Sequence, residues 1–415
     1  MPDEVAIGPF QVDLVRGRLL RDGIEREIRP QAWRALKVLV QSQGELVEYD
    51  HLIREAWDVH VSKHTVASTI NEIKRVLEEY GSWIICRPKA GYRLELHRSD
   101  DLIRRGWHYR NQYTRLGFEN ALCCFRKAAA DDSFDFRPFE ATANIYLLLA
   151  GFLMRAPAEM CDSFREAHAK SALLCGLTPT IRLDRAFAFF IFERKLKEAE
   201  AELLALQSEM PRCVHIYVRL ALIQLASGRI AAARSFLPFA RACDPLAPEL
   251  AFLEIVIHLF SREFEPAMAC GRRAVELHPG SQIARAFYAE ALDFAGDISA
   301  AQEQYRLAAS ISADATWIHA DRARSLAIHG SIREAASIFD QLERRRATDY
   351  VDAYHMALLL DALGRREEAL AEVARAWQEN SYALLFSTLD AKAESLRSDP
   401  TFERLRKRMV RAAAA

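Results

Sequence analysis

The chain has 415 residues, of which 51% are apolar and 27% charged, with a formal net charge of −1. At about 100–200 residues per domain, this length allows several domains, or one small domain followed by a repeat array. Only 16 Gly and 14 Pro argue against a fibrous or disordered chain, and the near-zero charge excludes a wholly basic nucleic-acid coat but not a local basic patch.

The start, MPDEVAIGPF, lacks a basic n-region and an apolar h-region, so no signal peptide is expected. The most apolar stretch, residues 145–154, is about half the length of a bilayer span. A cytoplasmic protein that does not enter a membrane is therefore expected. The eight Cys are scattered without a C-x-x-C pair, and the adjoining Cys123 and Cys124 read as packed, reduced thiols.

Residues 5–29 alternate weakly through Ile7, Phe10, Val12, Leu14 and Leu19, and Asp22-Gly23 suggests a hairpin turn. Three helices should follow. The first, over 31–43, carries Ala35, Leu36, Leu39 and Val40 on one face and ends at Gly44. The second, over 49–57, turns Leu52, Ile53 and Trp57 inward. The third, over 63–79, has Val66, Ile70, Ile73 and Leu77 at i, i+4, i+7 and i+11. A hairpin over 83–96 turns within Arg87-Pro88-Lys89-Ala90-Gly91.

Three helices and a basic hairpin are the layout of a winged helix. Residues 5–98 resemble the OmpR/PhoB-type winged helix-turn-helix in Pro30, Gly44, Leu52-Ile53, Trp57, Thr65-Val66, Ile70 and Leu77. The segment Cys86-Arg87-Pro88-Lys89-Ala90-Gly91-Tyr92-Arg93-Leu94 is similar to the wing T-V-P-K-R-G-Y-R-L of its CadC-type branch. The resemblance implies that the third helix enters the major groove and the wing tip meets the adjacent minor groove. The helix face opposite Val66 and Ile70 presents His64, Thr65, Ala67, Ser68, Asn71, Glu72 and Arg75, and an Asn there can pair with adenine. Lys63, Lys74, Arg75, Arg87, Lys89 and Arg93 suit phosphates. The resemblance also places Trp57 near the DNA backbone and makes the loop after it, with Asp58, Val59 and His60, a polymerase-facing surface. The chain departs from the family pattern where basic residues are common, at Asn71, Glu72 and Ala90, and has Arg87 for Val. Residues 1–98 hold 15 Lys and Arg against 15 Asp and Glu, and residues 61–98 hold 7 against 4. Weak phosphate neutralisation predicts modest affinity per monomer, and hence a homodimer or partner-assisted binding.

From residue 102 the chain is Ala- and Leu-rich with helical periodicity, after a linker expected at 99–105. Small residues recur every 34 positions at Ala199, Ala233, Ala267, Ala301, Ala335 and Ala369. A second series follows in phase at Leu206, Ala240, Ala274, Ala308, Leu342 and Ala376. Gly228, Gly296, Gly330 and Gly364 share another phase, as do Pro211, Pro245 and Pro279. Each period reads as a helix–turn–helix unit that buries its apolar face only by stacking on its neighbours. The register resembles the tetratricopeptide repeat. The array is expected over 106–383, with six clear units from about 180 and two irregular ones before, the second carrying an inserted loop at 155–161. Residues 384–415 should form a capping helix and tail, with Asp399 as N-cap and Pro400 as first residue. The fold class is thus multidomain: an α+β winged helix-turn-helix followed by an all-α tetratricopeptide-repeat superhelix.

No G-x-x-x-x-G-K-[ST], G-x-S-x-G or H-E-x-x-H motif is present. No catalytic residue, cofactor or metal is expected, and His60 and His64 straddle a helix start that suits solvent or DNA. No receiver domain is expected before the winged helix. The expected function is one-component bacterial transcription regulation, as in the HilA-type regulators that join the same two modules. The partners expected are double-stranded promoter DNA, RNA polymerase, and a protein or peptide on the array, with no membrane. The alternative is a repeat scaffold whose winged helix is a protein-docking module, motivated by Glu72 and the neutral N-terminal charge.

Overall fold

A computed structural model describes residues 4–7, 10–21, 24–42, 44–94, 98–404 and 406–407. The expected turn at 22–23, the hairpin end at 95–96 and the tail at 408–415 lie outside the described residues. Two compact units divide between Arg104 and Arg105.

In the first unit, the described residues 4–25 form an antiparallel sheet of β1 (Glu4–Ile7), β2 (Phe10–Asp13), β3 (Arg18–Arg21) and β4 (Ile24–Glu25), paired in chain order. The weak alternation had suggested one hairpin, but the chain turns more often. Asp13 builds the middle turn: its Oδ1 accepts the N–H groups of Val15 (3.1 Å) and Arg16 (2.7 Å), and Gly17 follows at φ +70°. Ile7, Phe10, Val12 and Leu19 point from this sheet into the core.

Helix α1 (Pro30–Gln41) starts with Pro30 in its first turn, where the missing N–H costs no bond. Strand β5 (Val47–Glu48) leads into α2 (Tyr49–Ala56). Helix α3 (Lys63–Val76) is capped by Ser62, whose hydroxyl accepts the Thr65 N–H at 3.2 Å. It stops short of residue 79, because the chain tightens into a 3₁₀ turn over Glu78–Trp83. That turn folds back so closely that a Cβ on Gly81 would strike the Lys74 backbone. Strands β6 (Ile84–Arg87) and β7 (Gly91–Leu94) form the expected hairpin. The sequence had not indicated β5, which pairs with β7 to complete a three-stranded sheet. A side chain at Gly91 would collide with the Val47 carbonyl, so that pairing requires glycine there.

Helix α4 (Arg98–Arg110) contains the division between the units, so residues 99–105, expected as a linker, are helical. In the second unit it is followed by α5 (Arg115–Asp131), α6 (Arg137–Gly151) and α7 (Pro157–Cys175). The expected inserted loop is only a short turn, since Pro157 starts α7 and Cys161 lies inside it.

Among the described residues six helix pairs follow, one per 34-residue period. They are α8 (Pro179–Ile191) with α9 (Leu196–Glu209), and α10 (Val214–Ala226) with α11 (Ile230–Ser235) and α12 (Leu237–Cys243). Next come α13 (Pro248–Phe260) with α14 (Phe264–Leu277), and α15 (Gln282–Ala295) with α16 (Ile298–Ile311). The last are α17 (Thr316–Ile328) with α18 (Ile332–Arg345), and α19 (Ala353–Ala362) with α20 (Arg366–Gln378). Pro238 lies in the first turn of α12, which splits the second helix of its pair. The six alanines from Ala199 to Ala369 are fully buried.

The chain then threads residues 382–397 across the first helices of the pairs, through short 3₁₀ turns and α21 (Glu394–Arg397). Phe386 packs on Phe190 of α8 and Phe260 of α13, and Lys392 reaches Glu290 of α15 and Asp321 of α17. From residue 384 this segment had been expected as part of a capping helix and tail. Its side chains instead line the inside of the array. Residues 400–404 are helical, and Asp399 Oδ1 accepts the Thr401 N–H at 2.7 Å.

Gly228, Gly296, Gly330 and Gly364 have φ between +74° and +92°. In the two pairs that lack this Gly, Arg194 and Arg262 stand at the same phase and adopt φ +56° and +61°. The left-handed residue belongs to the turn geometry, whichever side chain occupies it. Arg194 compensates: its guanidinium lies 3.7 Å from the Trp377 ring and donates to the Trp377 carbonyl at 2.6 Å. Arg262, more exposed, pairs at the surface with Glu394 at 3.0 Å. In chemical denaturation, Arg262→Gly should raise stability by roughly 0.5–1 kcal/mol and Gly296→Ala should lower it by about 1 kcal/mol. Arg194→Gly should give no gain.

Candidate nucleic-acid interface

Helix α3 has two opposite faces. Val66, Ile70, Ile73 and Leu77 are buried among α1, α2 and the sheets. His64, Ser68, Asn71 and Arg75, at i, i+4, i+7 and i+11, are exposed along one stripe. Thr65 sits beside that stripe, and its hydroxyl is spent on Ser62 Oγ at 3.0 Å. Short polar groups and one long cation on a helix anchored from behind can enter a major groove and meet base edges.

The cations that suit phosphates flank this stripe. Lys63, at the helix start, holds its ammonium 4.9 Å from the Tyr49 ring centroid. Tyr49 in turn packs edge-on against Tyr92 at 5.5 Å. Burial, with a hydrogen bond to Tyr49, raises the Tyr92 phenol above its ordinary range. Lys74 is half-buried and Arg75 exposed near the helix end. On the wing, the Ala90 N–H donates to the Arg87 carbonyl at 3.0 Å, which closes a tight turn. Lys89 occupies that turn at φ +67° and projects with Arg87 into solvent. Arg93 is half-buried on β7.

Two expected contact residues are placed differently. Glu72 does not join the exposed stripe. It turns toward the start of α1, where Arg29 Nε donates to both its carboxylate oxygens at 2.7 and 2.8 Å. The Arg29 guanidinium therefore holds the Glu72 carboxyl below its ordinary range. The motive for reading Glu72 as an anionic obstacle to DNA is thereby reduced, because its charge is matched within the domain. Trp57 is only 7% exposed, ends α2 and packs in the core, so it supports the loop that follows rather than offering a free face.

In that loop Asp58 pairs with Arg34 of α1 at 2.9 Å, while Val59 stands 70% exposed and His60 is exposed. Arg29 and Arg34 were missed as partners because they lie 43 and 24 residues from the acids they hold. Among the described residues no group of three or more His, Cys, Asp or Glu could hold a metal ion, and no helix is long and apolar enough to cross a membrane.

A core-anchored helix with a polar outer stripe, beside a hairpin with a basic turn, defines a winged helix-turn-helix DNA-binding domain, here followed by a helical repeat array. The family model "Transcriptional regulatory protein, C terminal" matches residues 23–94. The transcriptional regulatory protein CutR of Streptomyces coelicolor is 30% identical over 96 residues, covering 23% of this chain and 44% of CutR. The transcriptional regulatory protein KdpE of Mycobacterium tuberculosis is 28% identical over 91 residues, covering 21% of this chain and 40% of KdpE. The chain thus spans less than half the length of the curated relatives it matches. Human IFIT1, solved as a dimer with m7Gppp-AAAA, shares the helical fold at a TM-score of 0.51 and 16% identity, over 76% of this chain and 78% of IFIT1. The N-terminal unit carries an OmpR/PhoB-type winged helix, and the described helix pairs of the second unit have the fold of a tetratricopeptide-repeat superhelix.

The Arg29–Glu72 pair has a pH signature. A carboxyl with a lowered folded pKa adds stability above its unfolded value, about 4.3 for Glu, and loses it as pH falls through the folded value. Wild type should therefore melt above Arg29→Ala at pH 7, and the difference should close in acid. A gap that is constant with pH would mean the pair does not form.

Proposed function

We propose that this protein is a one-component cytoplasmic bacterial transcription regulator. Its winged helix binds promoter DNA, and its repeat array supplies the input by engaging a protein, a peptide or a second copy, or by sensing an effector. The observation that carries this reading is the exposed stripe His64, Ser68, Asn71 and Arg75, set against a buried face of Val66, Ile70 and Ile73, in the segment that matches the regulator family. A protein-docking helix needs no such separation of base-reading and phosphate-binding side chains. Arg29 neutralises Glu72, so the α3 surface is more positive than a residue count suggests.

Phosphate contacts set the salt dependence, each adding about 0.9 to the slope of log affinity against log salt. The variant with Lys74, Arg75 and Lys89 all changed to Ala should lose discrete genomic binding and show a salt slope shallower by roughly 2.7. A variant that still occupies the same sites would support the scaffold reading, in which the winged helix docks a protein.

The loop of Asp58, Val59 and His60 is proposed as the surface that meets RNA polymerase. Its support is Val59, an apolar side chain left in solvent while Arg34 fixes the neighbouring Asp58. Asp58→Ala and His60→Ala should bind promoter DNA like wild type yet activate transcription less in a reconstituted assay. Full activation by both would remove this surface from the mechanism.

A further inference from the structure

The repeat unit holds a partly open cavity of about 220 Å³ along the first helices of its pairs. That is larger than a cavity of about 150 Å³ known to take a benzene ring. Its wall is largely apolar and includes the rings of Phe187, Phe252, Phe260, Phe287 and Trp317 from the helices and Tyr382 from the threaded segment.

One end of the cavity is acidic. Glu290, Asp321 and Asp390 converge there with a single ammonium, that of Lys392. Lys392 Nζ donates to Glu290 Oε2 and to Asp321 Oδ2, each at 3.0 Å. Asp390 is bound by the Tyr354 hydroxyl at 2.9 Å and the Lys392 N–H at 2.8 Å. Of the other cations near this wall, Arg219 pairs with Asp184 at 3.0 Å, Arg110 with Glu249 at 3.7 Å, Arg324 with Asp293 at 2.9 Å and the His355 ring with Asp352 at 2.7 Å, and the last two also act on Asp321. Asp321 is 1% exposed, and its Oδ1 accepts no hydrogen bond among the described residues. Burial, with Asp390 and Asp321 nearby, pushes the Glu290 carboxyl up to about 7 in spite of Lys392. Lys392, with His355 and Arg324 nearby, holds the Asp321 carboxyl below its ordinary range against its burial, so Asp321 is the ionised acid with an open oxygen at this pole.

We propose that this cavity is the binding site of a small organic ammonium compound with an aromatic body, its body held by the aromatic wall and its ammonium by Asp321. Carboxylates with an open oxygen and aromatic faces around them both recognise ammonium groups, and both do so most strongly in a desolvated site. Lys392 is then an internal occupant of the same pole. It is carried by a segment made of short turns rather than by a packed helix, so a ligand's ammonium competes with a side chain that can yield. This gives the array a ligand class and rests on the regulator reading only for its consequence at DNA.

The test uses the intact protein, titrated calorimetrically at neutral pH with three probes of similar shape: 2-phenylethylammonium, 2-phenylethanol and 3-phenylpropionate. The ammonium should bind with one site per chain and raise the melting midpoint of the repeat unit, and the neutral and anionic probes should do neither. Asp321→Asn should weaken the ammonium at least tenfold. Lys392→Met removes the internal competitor and should bind it more tightly than wild type, a gain that misfolding cannot produce. Equal binding of the three probes, or no ammonium binding to either wild type or Lys392→Met, would overturn the site. These readouts do not involve DNA, so the Lys74/Arg75/Lys89 variant should give the same titration even if the promoter reading fails.

Discussion

The second unit depends on one steric constraint: two helices must cross with almost no side chain between them. Ala199, Ala233, Ala267, Ala301, Ala335 and Ala369 meet it at 34-residue intervals, and each is fully buried. Ala240, Ala274, Ala308 and Ala376 meet it again seven residues on. Alanine loses no side-chain entropy on burial and allows the closest approach of any residue with high helix propensity. Because the constraint returns at the same phase, each pair stacks on the last with the same rotation, and a superhelix with an inside follows.

An enclosed inside imposes a second demand, since polar groups cut off from water must find partners. The turn between α4 and α5 meets it across a long sequence distance, where the Gln282 side chain donates to the Tyr113 carbonyl and Tyr113 donates to Glu249. Arg115 reaches Asp349 at 3.0 Å. The threaded segment does the same at the other end, where the Tyr382 hydroxyl bonds the Gly151 carbonyl and Asn380 bonds that of Phe192. These contacts join the first helices of the unit to its last residues, so the array is closed by side chains rather than by repetition.

What could be read in the sequence follows from this difference. The repeat was legible because one steric demand writes the same small residue at a fixed phase six times. The third helix of the winged domain was legible because Val66, Ile70, Ile73 and Leu77 record a buried face directly. Arg194 and Arg262 were not legible as turn residues, since arginine carries no sign that its backbone is left-handed. Strand β5 is two residues long and gives no alternation to detect. Glu72 was expected on the DNA-facing side because its partner Arg29 is 43 residues away, and Lys392 fell unremarked in the capping region because its acids are 71 and 102 residues away. Side-chain contacts over such separations are set by tertiary folding, and local pattern does not encode them.

Two charged clusters inside the array show that its interior is not uniformly optimised for folding. Asp293 has both oxygens occupied: Oδ2 accepts from Arg324 at 2.9 Å, and Oδ1 accepts from the Ser325 hydroxyl at 2.6 Å and meets His329 Nε2 at 2.9 Å. That cluster is closed, as a buried acid must be to remain ionised at small cost. Asp321, one turn before Arg324 on α17, keeps one buried oxygen that accepts no hydrogen bond among the described residues and shares the Lys392 ammonium with Glu290. Well-packed apolar residues in place of such a pole would be neutral or stabilising. The same helices are able to close a charge fully at Asp293, so the open pole at Asp321 is not a limit of the fold. It is a feature that stability alone does not explain, and it faces the cavity.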